Sequence, residues 1–223
     1  MLRKMLGLMM AAAMVFALAA CRQTPAKNSG PSAPSEPIVS SKAPETQPSG
    51  SSADGEQTEP TEGRTLVVYF SWSGNTEEMA SYLADQVDGD LLEIEPKTAY
   101  PTDYNECGDV AKIERDENAR PEIANLPDSI GEYDTILVGY PIWWHTAPMI
   151  IGTFLESYDL TGKEVYPFTQ SASMDTEQFE QSISFVREAA SDANVHNGLF
   201  ARPSDTDAID AYLSENGLVK QSS

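Results

Sequence analysis

The last 160 residues of this 223-residue chain predict an α/β domain, in which helices cover both faces of a parallel sheet. Short runs rich in β-branched and aromatic residues, typical of buried strands, alternate with stretches of helical spacing. This alternation is the pattern of repeated βαβ units. Because ligands of such sheets bind at the carboxyl ends of the strands, the loops that directly follow strands are the places to search for function.

Five segments are predicted as strands from their apolar composition. The second strand is closed by Pro96, and the fifth is the weakest of the set. The predicted strands are Thr65–Phe70, Asp90–Glu95, Tyr133–Tyr140, Glu164–Phe168 and Val195–Phe200.

Helices are predicted between these strands from apolar side chains at helical spacing. The stretch from Tyr100 to Leu126 is polar and irregular, with one helix expected near its middle. Ser204 is expected to cap the amino end of a last helix that carries Ile209, Tyr212 and Leu213. The other predicted helices are Thr76–Val87, Asp109–Asn118, Met149–Tyr158 and Thr176–Ala190.

Charge and composition exclude several classes of function. The chain has 14 Lys and Arg against 35 Asp and Glu, a net charge of −21, and residues 64–223 carry −20 of it. Nucleic acid is an unsuitable partner because phosphate binding needs clustered cations, whereas a basic protein surface is a suitable one. Two Cys and two His without a CxxC pair cannot form the usual zinc sites. A serine hydrolase is remote because no GxSxG is present.

The first 20 residues predict a targeting segment. Arg3 and Lys4 precede an apolar stretch over Met5–Ala20, which is short for a membrane-spanning helix. The stretch ends in Leu-Ala-Ala-Cys21, which resembles the lipobox of bacterial lipoproteins, where the signal peptide is cut before a lipidated Cys. The resemblance implies a lipid anchor at Cys21 and a location in the cell envelope, on the extracytoplasmic side of the membrane. An ordinary signal or anchor segment with a chance Cys is the alternative.

Residues 21–63 are predicted to be a disordered linker between Cys21 and the domain at 64–223. Residues 22–63 contain 8 Ser and 7 Pro but few large apolar side chains, so they cannot bury enough surface to offset the entropy of the chain. As a flexible coil the linker would reach about 35 Å. A folded stalk or a cell-wall-binding segment is the alternative, although no periodicity supports it.

The loop after the first strand, Ser71–Thr76, has the composition of an anion site. Three hydroxyls, one amide and Gly74 surround the amino end of the predicted helix, and the loop has no Lys or Arg. Neutral donors suit a single phosphomonoester better than a polyphosphate with Mg²⁺. Neither GxxxxGK[ST] nor GxGxxG is present, which argues against the usual nucleotide and dinucleotide sites. A plain strand-to-helix turn is the alternative.

The loop after the third strand brings two adjacent indoles to the same edge. Pro141, Ile142, Trp143, Trp144 and His145 follow Tyr140, and large aromatic faces at this point could cover a flat heteroaromatic ring. Core packing by both Trp side chains is the alternative. His145 has two interpretations. It is either a histidine at the rim of the site without a chemical role, or a proton donor or charge partner for the bound ring, because a histidine can titrate near neutral pH.

The segment LVVYFSWSGNTEEMA resembles the phosphate-binding loop of the flavodoxins, which bind the 5′-phosphate of FMN. The resemblance continues through Gly139–Trp144, Leu155–Lys163 and Val165–Phe168. It implies a flavodoxin-like three-layer sandwich with a five-stranded sheet in the order 2-1-3-4-5, and FMN as cofactor. It also implies that the phosphate is held by Ser71, Trp72, Ser73, Gly74, Asn75 and Thr76, and that the 141–145 segment flanks the flavin ring.

The loop after the fourth strand departs from the family pattern. Flavodoxin-like proteins usually carry a Gly-rich turn here, whereas this chain has Ala172 and Ser173. We expect Thr169, Gln170 and Ser171 to contact the flavin, with plain loop polarity as the alternative. Cys107 is expected to be a structural or incidental thiol.

Two functions on the same scaffold agree with these features. The favoured one is an electron-transfer protein that docks a redox partner with a basic surface. It is tethered to the membrane only through its lipid. The sequence leaves its oligomeric state open, with a monomer as the working assumption. The alternative is an FMN-dependent NAD(P)H:quinone or nitro/azo reductase, although no basic cluster for a nicotinamide phosphate is visible. A scaffold lipoprotein without FMN is the third hypothesis.

Overall fold

The computed structural model describes residues 63–220, so Cys21, the targeting segment and residues 21–62 of the linker lie outside the described residues. Within this range the chain forms six strands and five helices. The strands are β1 Arg64–Tyr69, β2 Asp90–Glu93, β3 Tyr133–Pro141, β4 Glu164–Gln170, β5 Asn194–Val195 and β6 Leu199–Phe200. The helices are α1 Asn75–Val87, α2 Tyr104–Asp116, α3 Met149–Glu156, α4 Thr176–Ala189 and α5 Thr206–Glu215.

The strands form a parallel sheet in the order β2-β1-β3-β4-β5, which confirms the expected α/β class and strand order. Val67 of β1 pairs with Leu91 of β2 on one side and with Leu137 of β3 on the other. The central strands are apolar and buried because helices cover both faces of the sheet.

Two apolar cores lie on opposite faces of the sheet. On one face α1 and α5 pack against the strands through Met79, Leu83 and Ile209. On the other face α3 and α4 contribute Phe154 and Val186, and α2 packs beside α3. The three layers therefore match the predicted sandwich, and both cores hold the strand ends in place. No helix within residues 63–220 is both long enough and apolar enough to span a bilayer.

The prediction of one continuous fifth strand over Val195–Phe200 is wrong. The segment forms two short pieces, β5 and β6, which pair with β4 on either side of an interruption at 196–198. Pro167 of β4 has no N–H to donate to the ladder at this point. Gly198 lies so close to both α4 and β4 that a Cβ would lie 2.5 Å from Cδ1 of Ile183 in α4 and 3.1 Å from Pro167 O in β4. The strand therefore bulges where a regular ladder cannot form.

Several element ends also differ from the predictions. α2 begins at Tyr104 instead of Asp109, because Asp103 caps it by accepting from the N–H groups of Asn105 (2.9 Å) and Glu106 (3.1 Å). Ser204 is not the cap of α5, since that helix begins one residue after Asp205.

Candidate functional site

Three loops meet at the carboxyl edge of the sheet, after β1, β3 and β4. These strands are direct neighbours and parallel, so their carboxyl ends lie side by side. The predicted residues in Ser71–Thr76, Pro141–His145 and Thr169–Ser171 are therefore brought to one edge of the sheet, as expected for a ligand site of an open α/β sheet.

The loop between β1 and α1 leaves the amino end of α1 open. Gly74 is the residue before the helix, has φ 87°, and no side chain caps the helix. A left-handed φ favours glycine, so the turn depends on Gly74. The N–H groups of the first helical turn remain available, and together with the helix dipole they attract an anion.

Two hydroxyls of this loop are oriented by hydrogen bonds that they accept. The Gly74 N–H donates to Ser71 Oγ at 3.1 Å, and Asn75 Nδ2 donates to Ser73 Oγ at 3.2 Å. A hydroxyl that accepts a bond still has its own O–H to donate. Thr76 differs because it is 2% exposed and lies beneath the loop. The loop thus offers an anion only neutral donors.

The loop after β3 is a tight hairpin turn over Trp143–Thr146. The Trp143 N–H donates to Thr146 O at 3.0 Å, and the Thr146 N–H donates to Trp143 O at 3.1 Å. The two central residues both have positive φ, 49° at Trp144 and 67° at His145. Such turns usually contain Asn and Gly, and a left-handed residue with a side chain costs about 1–2 kcal/mol. The turn therefore needs support from outside.

The two indoles of this turn have different surroundings. Trp143 is half-buried and packs edge-on against Phe70 and Tyr100, with ring centroids 5.4 and 5.1 Å away. Trp144 is 43% exposed, and its Nε1–H donates to Gly108 O of α2 at 2.7 Å. Trp143 thus joins the core under the turn, whereas Trp144 is held on the surface by α2.

An open cleft of about 580 Å³ lies between the three loops and α2. This volume is within the range of small-molecule sites. Trp72 of the first loop lines the cleft, so the anion site and the cleft are continuous through this residue. The predicted ring-contacting residues that line the cleft are Ile142, Trp143, Trp144, His145 and Ser171.

The remaining predicted ring-contacting residues, Pro141, Thr169 and Gln170, belong to strands and do not line the cleft. β4 continues to Gln170, so the loop after it begins at Ser171 and not at Thr169. The Thr169 side chain is fully buried, and its hydroxyl donates to Tyr140 O. Gln170 O accepts from the Ile142 N–H at 3.2 Å. The polar groups of these two residues therefore tie β4 to β3.

The wall formed by α2 was not among the predicted site residues, since the sequence left open whether Tyr104 faces the ligand or a partner. Tyr104, Asn105, Gly108 and Asp109 line the cleft opposite the strand-end loops. Tyr104 is 77% exposed, and its ring centroid lies 6.3 Å from that of Trp72. The signal was present in Asp103, which is a good helix cap, but only the fold shows that the helix it starts reaches the cleft.

Behind the turn, a half-buried polar pair packs on the far side of Trp143. The Tyr100 hydroxyl donates to Glu114 Oε2 at 2.9 Å. Burial raises the pKa of both Tyr100 and Glu114 above their ordinary values. Burial also raises the pKa of the nearby Cys107 thiol, with Glu114 adding to the effect. Cys107 is buried, which agrees with a structural or incidental thiol.

The residues present fit a ligand that carries one phosphate and one planar ring. Uncapped N–H groups and oriented hydroxyls at α1 suit the phosphate, and the aromatic cleft that starts at Trp72 suits the ring. None of the residues that line the cleft is Lys or Arg, so the cleft favours a neutral ring system over a second phosphate.

Comparison with known proteins identifies the family. The sequence pattern of the flavodoxin family matches residues 64–216, and the chain belongs to this family. None of the curated proteins matches the chain.

Solved structures agree with this assignment. A protein from Bacteroides eggerthii DSM 20697, described as a flavoprotein, shares 35% identity over 70% of this chain and 99% of its own, with a TM-score of 0.63. A similarly described protein from Bacteroides uniformis ATCC 8492 shares 33% identity over 68% of this chain and 98% of its own, with a TM-score of 0.62. A flavoprotein from Lactobacillus acidophilus NCFM, solved in complex with FMN, shares 29% identity over 65% of this chain and 97% of its own, with a TM-score of 0.56.

Proposed function

We propose that this protein is an FMN-binding electron-transfer protein of the flavodoxin family, tethered to a membrane by a lipid. The observation that carries the proposal is the continuity of an uncapped helix end at Gly74 with the aromatic cleft that begins at Trp72. Family membership and the FMN complex of the Lactobacillus acidophilus relative identify FMN as the cofactor.

The residues of the first loop hold the phosphate in this proposal. Ser71 and Ser73 donate their hydroxyl protons, because each hydroxyl already accepts one hydrogen bond within the loop. The backbone N–H groups at the start of α1, from Asn75 and Thr76 onward, donate along the helix axis. Gly74 lets the loop close without a side chain at a left-handed position.

The cleft residues hold the ring and exclude water from it. Trp144 and Trp72 offer aromatic surface, Ile142 and Trp143 close the floor, and Ser171 bounds the far side. FMN supplies the redox chemistry when it is bound. The net charge of −20 on residues 64–223 disfavours further negative charge on the flavin, which lowers its reduction potential.

The same acidity supports a redox partner with a basic surface. Glu106 and Asp109 of α2 lie near the exposed Tyr104 at the mouth of the cleft. Association with a basic partner would be steered by this field, and its rate would fall as salt rises.

A reductase remains the second candidate because the cleft is open along α2. The exposed Tyr104 and the space beside Gly108 favour access by a second aromatic molecule. The lack of Lys and Arg among the cleft residues disfavours the phosphate of NADPH. Stopped-flow mixing of the FMN-loaded chain with NADPH decides between the two, since fast reduction supports a reductase and negligible reduction supports a carrier.

The lipid tether in the proposal is supported by the sequence of residues 1–21. Replacement Cys21→Ser is expected to move the protein from the membrane fraction to the soluble fraction. Persistence of the Cys21→Ser chain in the membrane fraction would contradict a lipid anchor at this residue.

The cofactor assignment is tested by purifying the full-length chain and extracting its bound small molecules. We expect a yellow protein that releases FMN in a one-to-one ratio. A colourless protein that stays colourless after incubation with excess FMN would overturn the proposal.

A further inference from the structure

The turn at Trp143–Thr146 is clamped from one side by a single arginine. Arg115 Nη1 donates to Trp144 O at 3.2 Å, and the Arg115 guanidinium carbon lies 5.5 Å from the centroid of the Trp144 ring. Arg115 is itself oriented by Asp116, whose Oδ1 accepts from Nε at 2.9 Å and from Nη2 at 2.6 Å. The guanidinium thus contacts both the backbone and the indole of Trp144.

The peptide that Arg115 contacts has no partner within the turn itself. The two hydrogen bonds that close the hairpin use the N–H and C=O groups of Trp143 and Thr146. In a trans peptide the C=O and the next N–H point in opposite directions. By holding Trp144 O, Arg115 therefore fixes the His145 N–H in the direction away from itself. Within residues 63–220 the His145 N–H has no hydrogen-bond partner.

The positive φ values make this external contact necessary. Trp144 and His145 both occupy a region that side chains disfavour, so the turn would relax if nothing held it. Two hydrogen bonds connect Trp144 to α2. The Trp144 indole N–H donates to Gly108 O, and Arg115 donates to Trp144 O. Both Trp144 and His145 line the cleft, so a relaxed turn would change the shape of the cleft.

We propose that Arg115 is a positioning residue for the flavin, which keeps the Trp144–His145 peptide in the one orientation that completes the cleft. Arg115 does not line the cleft and acts through Trp144. The inference rests on the proposed function, because it assumes that the cleft binds the ring of FMN. It also makes α2, which is not one of the strand-end loops, part of the cofactor site.

The test compares Arg115→Met with Lys112→Met in the full-length chain. Lys112 lies one turn earlier on α2 and pairs with Asp116 at 2.7 Å, so its replacement removes the same charge without touching Trp144. We expect the Kd for FMN to rise roughly tenfold in Arg115→Met, the effect of one charge-assisted hydrogen bond. We expect it to stay within about twofold in Lys112→Met. Equal losses in both variants, or no loss in either, would overturn the proposal.

A double-mutant cycle separates positioning from general stability. His145→Gly removes one of the two side chains at left-handed positions, so the turn depends less on the clamp. In the His145→Gly background the further replacement Arg115→Met should change the Kd for FMN by less than about threefold. An undiminished tenfold effect in that background would contradict a role through the turn.

A readout without cofactor keeps this inference separate from the proposed function. In the apoprotein, hydrogen exchange of the Thr146 amide should be faster in Arg115→Met than in Lys112→Met, because that amide closes the turn. Faster exchange in a chain that binds no FMN would refute the proposed function and leave Arg115 as the clamp. Unchanged exchange in a chain that binds FMN would refute the clamp alone.

Discussion

The loops after β1 and β3 form two halves of one site, yet they reach their shapes by opposite means. Both contain residues with positive φ. In the first loop that residue is Gly74, for which the conformation is favourable, and no atom lies within 4 Å of where its Cβ would be. In the second loop the residues are Trp144 and His145, which are held by contacts from α2.

This difference separates a locally encoded site from one that the tertiary structure must enforce. The first loop needs only its own glycine and the start of α1. The turn after β3 needs a helix that begins 40 residues earlier in the chain, at Tyr104. Substitutions in the two regions should therefore fail in different ways.

The largest effect is expected at Gly139 of β3, which leads into the strained turn. A Cβ at Gly139 would lie 2.1 Å from Phe168 Cζ, so Gly139→Ala forces the buried Phe168 ring to move. We expect a loss of about 2–3 kcal/mol in the free energy of unfolding, measured by urea denaturation. Gly108→Ala is the control, because its Cβ meets nothing within 4 Å and Ala favours the helix, so stability should rise.

The next effect is expected at Gly74. A β-branched side chain at φ 87° is strained by about 1–2 kcal/mol, so Gly74→Val should raise the Kd for FMN about tenfold or more. Gly162→Val is a matched control, since Gly162 has φ 77°, equally open surroundings and a place outside the site. It should lose similar stability while the affinity for FMN stays unchanged. Equal affinity losses in both variants would mean that the loop at Gly74 has no special part in binding.

A gain in stability is expected at His145. His145→Gly relieves the backbone strain of a side chain at a left-handed position, but it also raises the conformational entropy of the unfolded chain. The net result is an increase of about 0.5–1 kcal/mol in the free energy of unfolding. His196→Gly should instead destabilise, because His196 stacks on Tyr166 with ring centroids 4.1 Å apart and contacts Glu164. Thermal unfolding of the two variants compares them, and a loss at both positions would show that the turn is not strained.

The smallest effect concerns the half-buried pair of Tyr100 and Glu114 behind the turn. Burial raises the pKa of Glu114, so the folded chain binds this proton more tightly than the unfolded chain does. Stability from this group is therefore present at acidic pH and is lost as pH rises through the raised pKa. Glu114→Gln keeps an acceptor for the Tyr100 hydroxyl and should stabilise the protein at pH 7 by less than about 1 kcal/mol, since Glu114 is only half-buried.

The control for this prediction is Glu180→Gln on the exposed face of α4. The gain from Glu114→Gln should disappear when unfolding is repeated near pH 4, and Glu180→Gln gives the reference for the same chemical change on an exposed helix face. A gain at Glu114 that is the same at both pH values would rule out the proton as its cause.

The contrast between the two loops also explains what the sequence could predict. The alternation of strands and helices and the first loop followed from local patterns, since buried runs, Gly74 and the start of α1 are signals within a few residues of each other. The strand order followed instead from the resemblance to the flavodoxins. The shape of the 143–146 turn could not be predicted, because no Asn-Gly pair marks it. Its cause is the contact between Arg115 and Trp144, which are 29 residues apart.

The split of the last strand escaped prediction for a similar reason. Val195–Phe200 has the composition of a strand, but Pro167 on the neighbouring strand interrupts the ladder. The α2 wall of the cleft was not predicted, because the sequence of a polar amphipathic helix does not show which part of the fold the helix will pack against. Tertiary contacts therefore decided those parts of the site that local patterns left open.

The central claim is that the open end of α1 binds the phosphate of a ligand whose ring occupies the aromatic cleft. It is tested most directly by titrating the full-length apoprotein with FMN and, in parallel, with riboflavin, which has the same ring but no phosphate. We expect FMN to bind at least about a hundredfold more tightly, as the sum of two or more charge-assisted hydrogen bonds would require. Equal affinities for the two compounds, or no binding of FMN, would contradict the account.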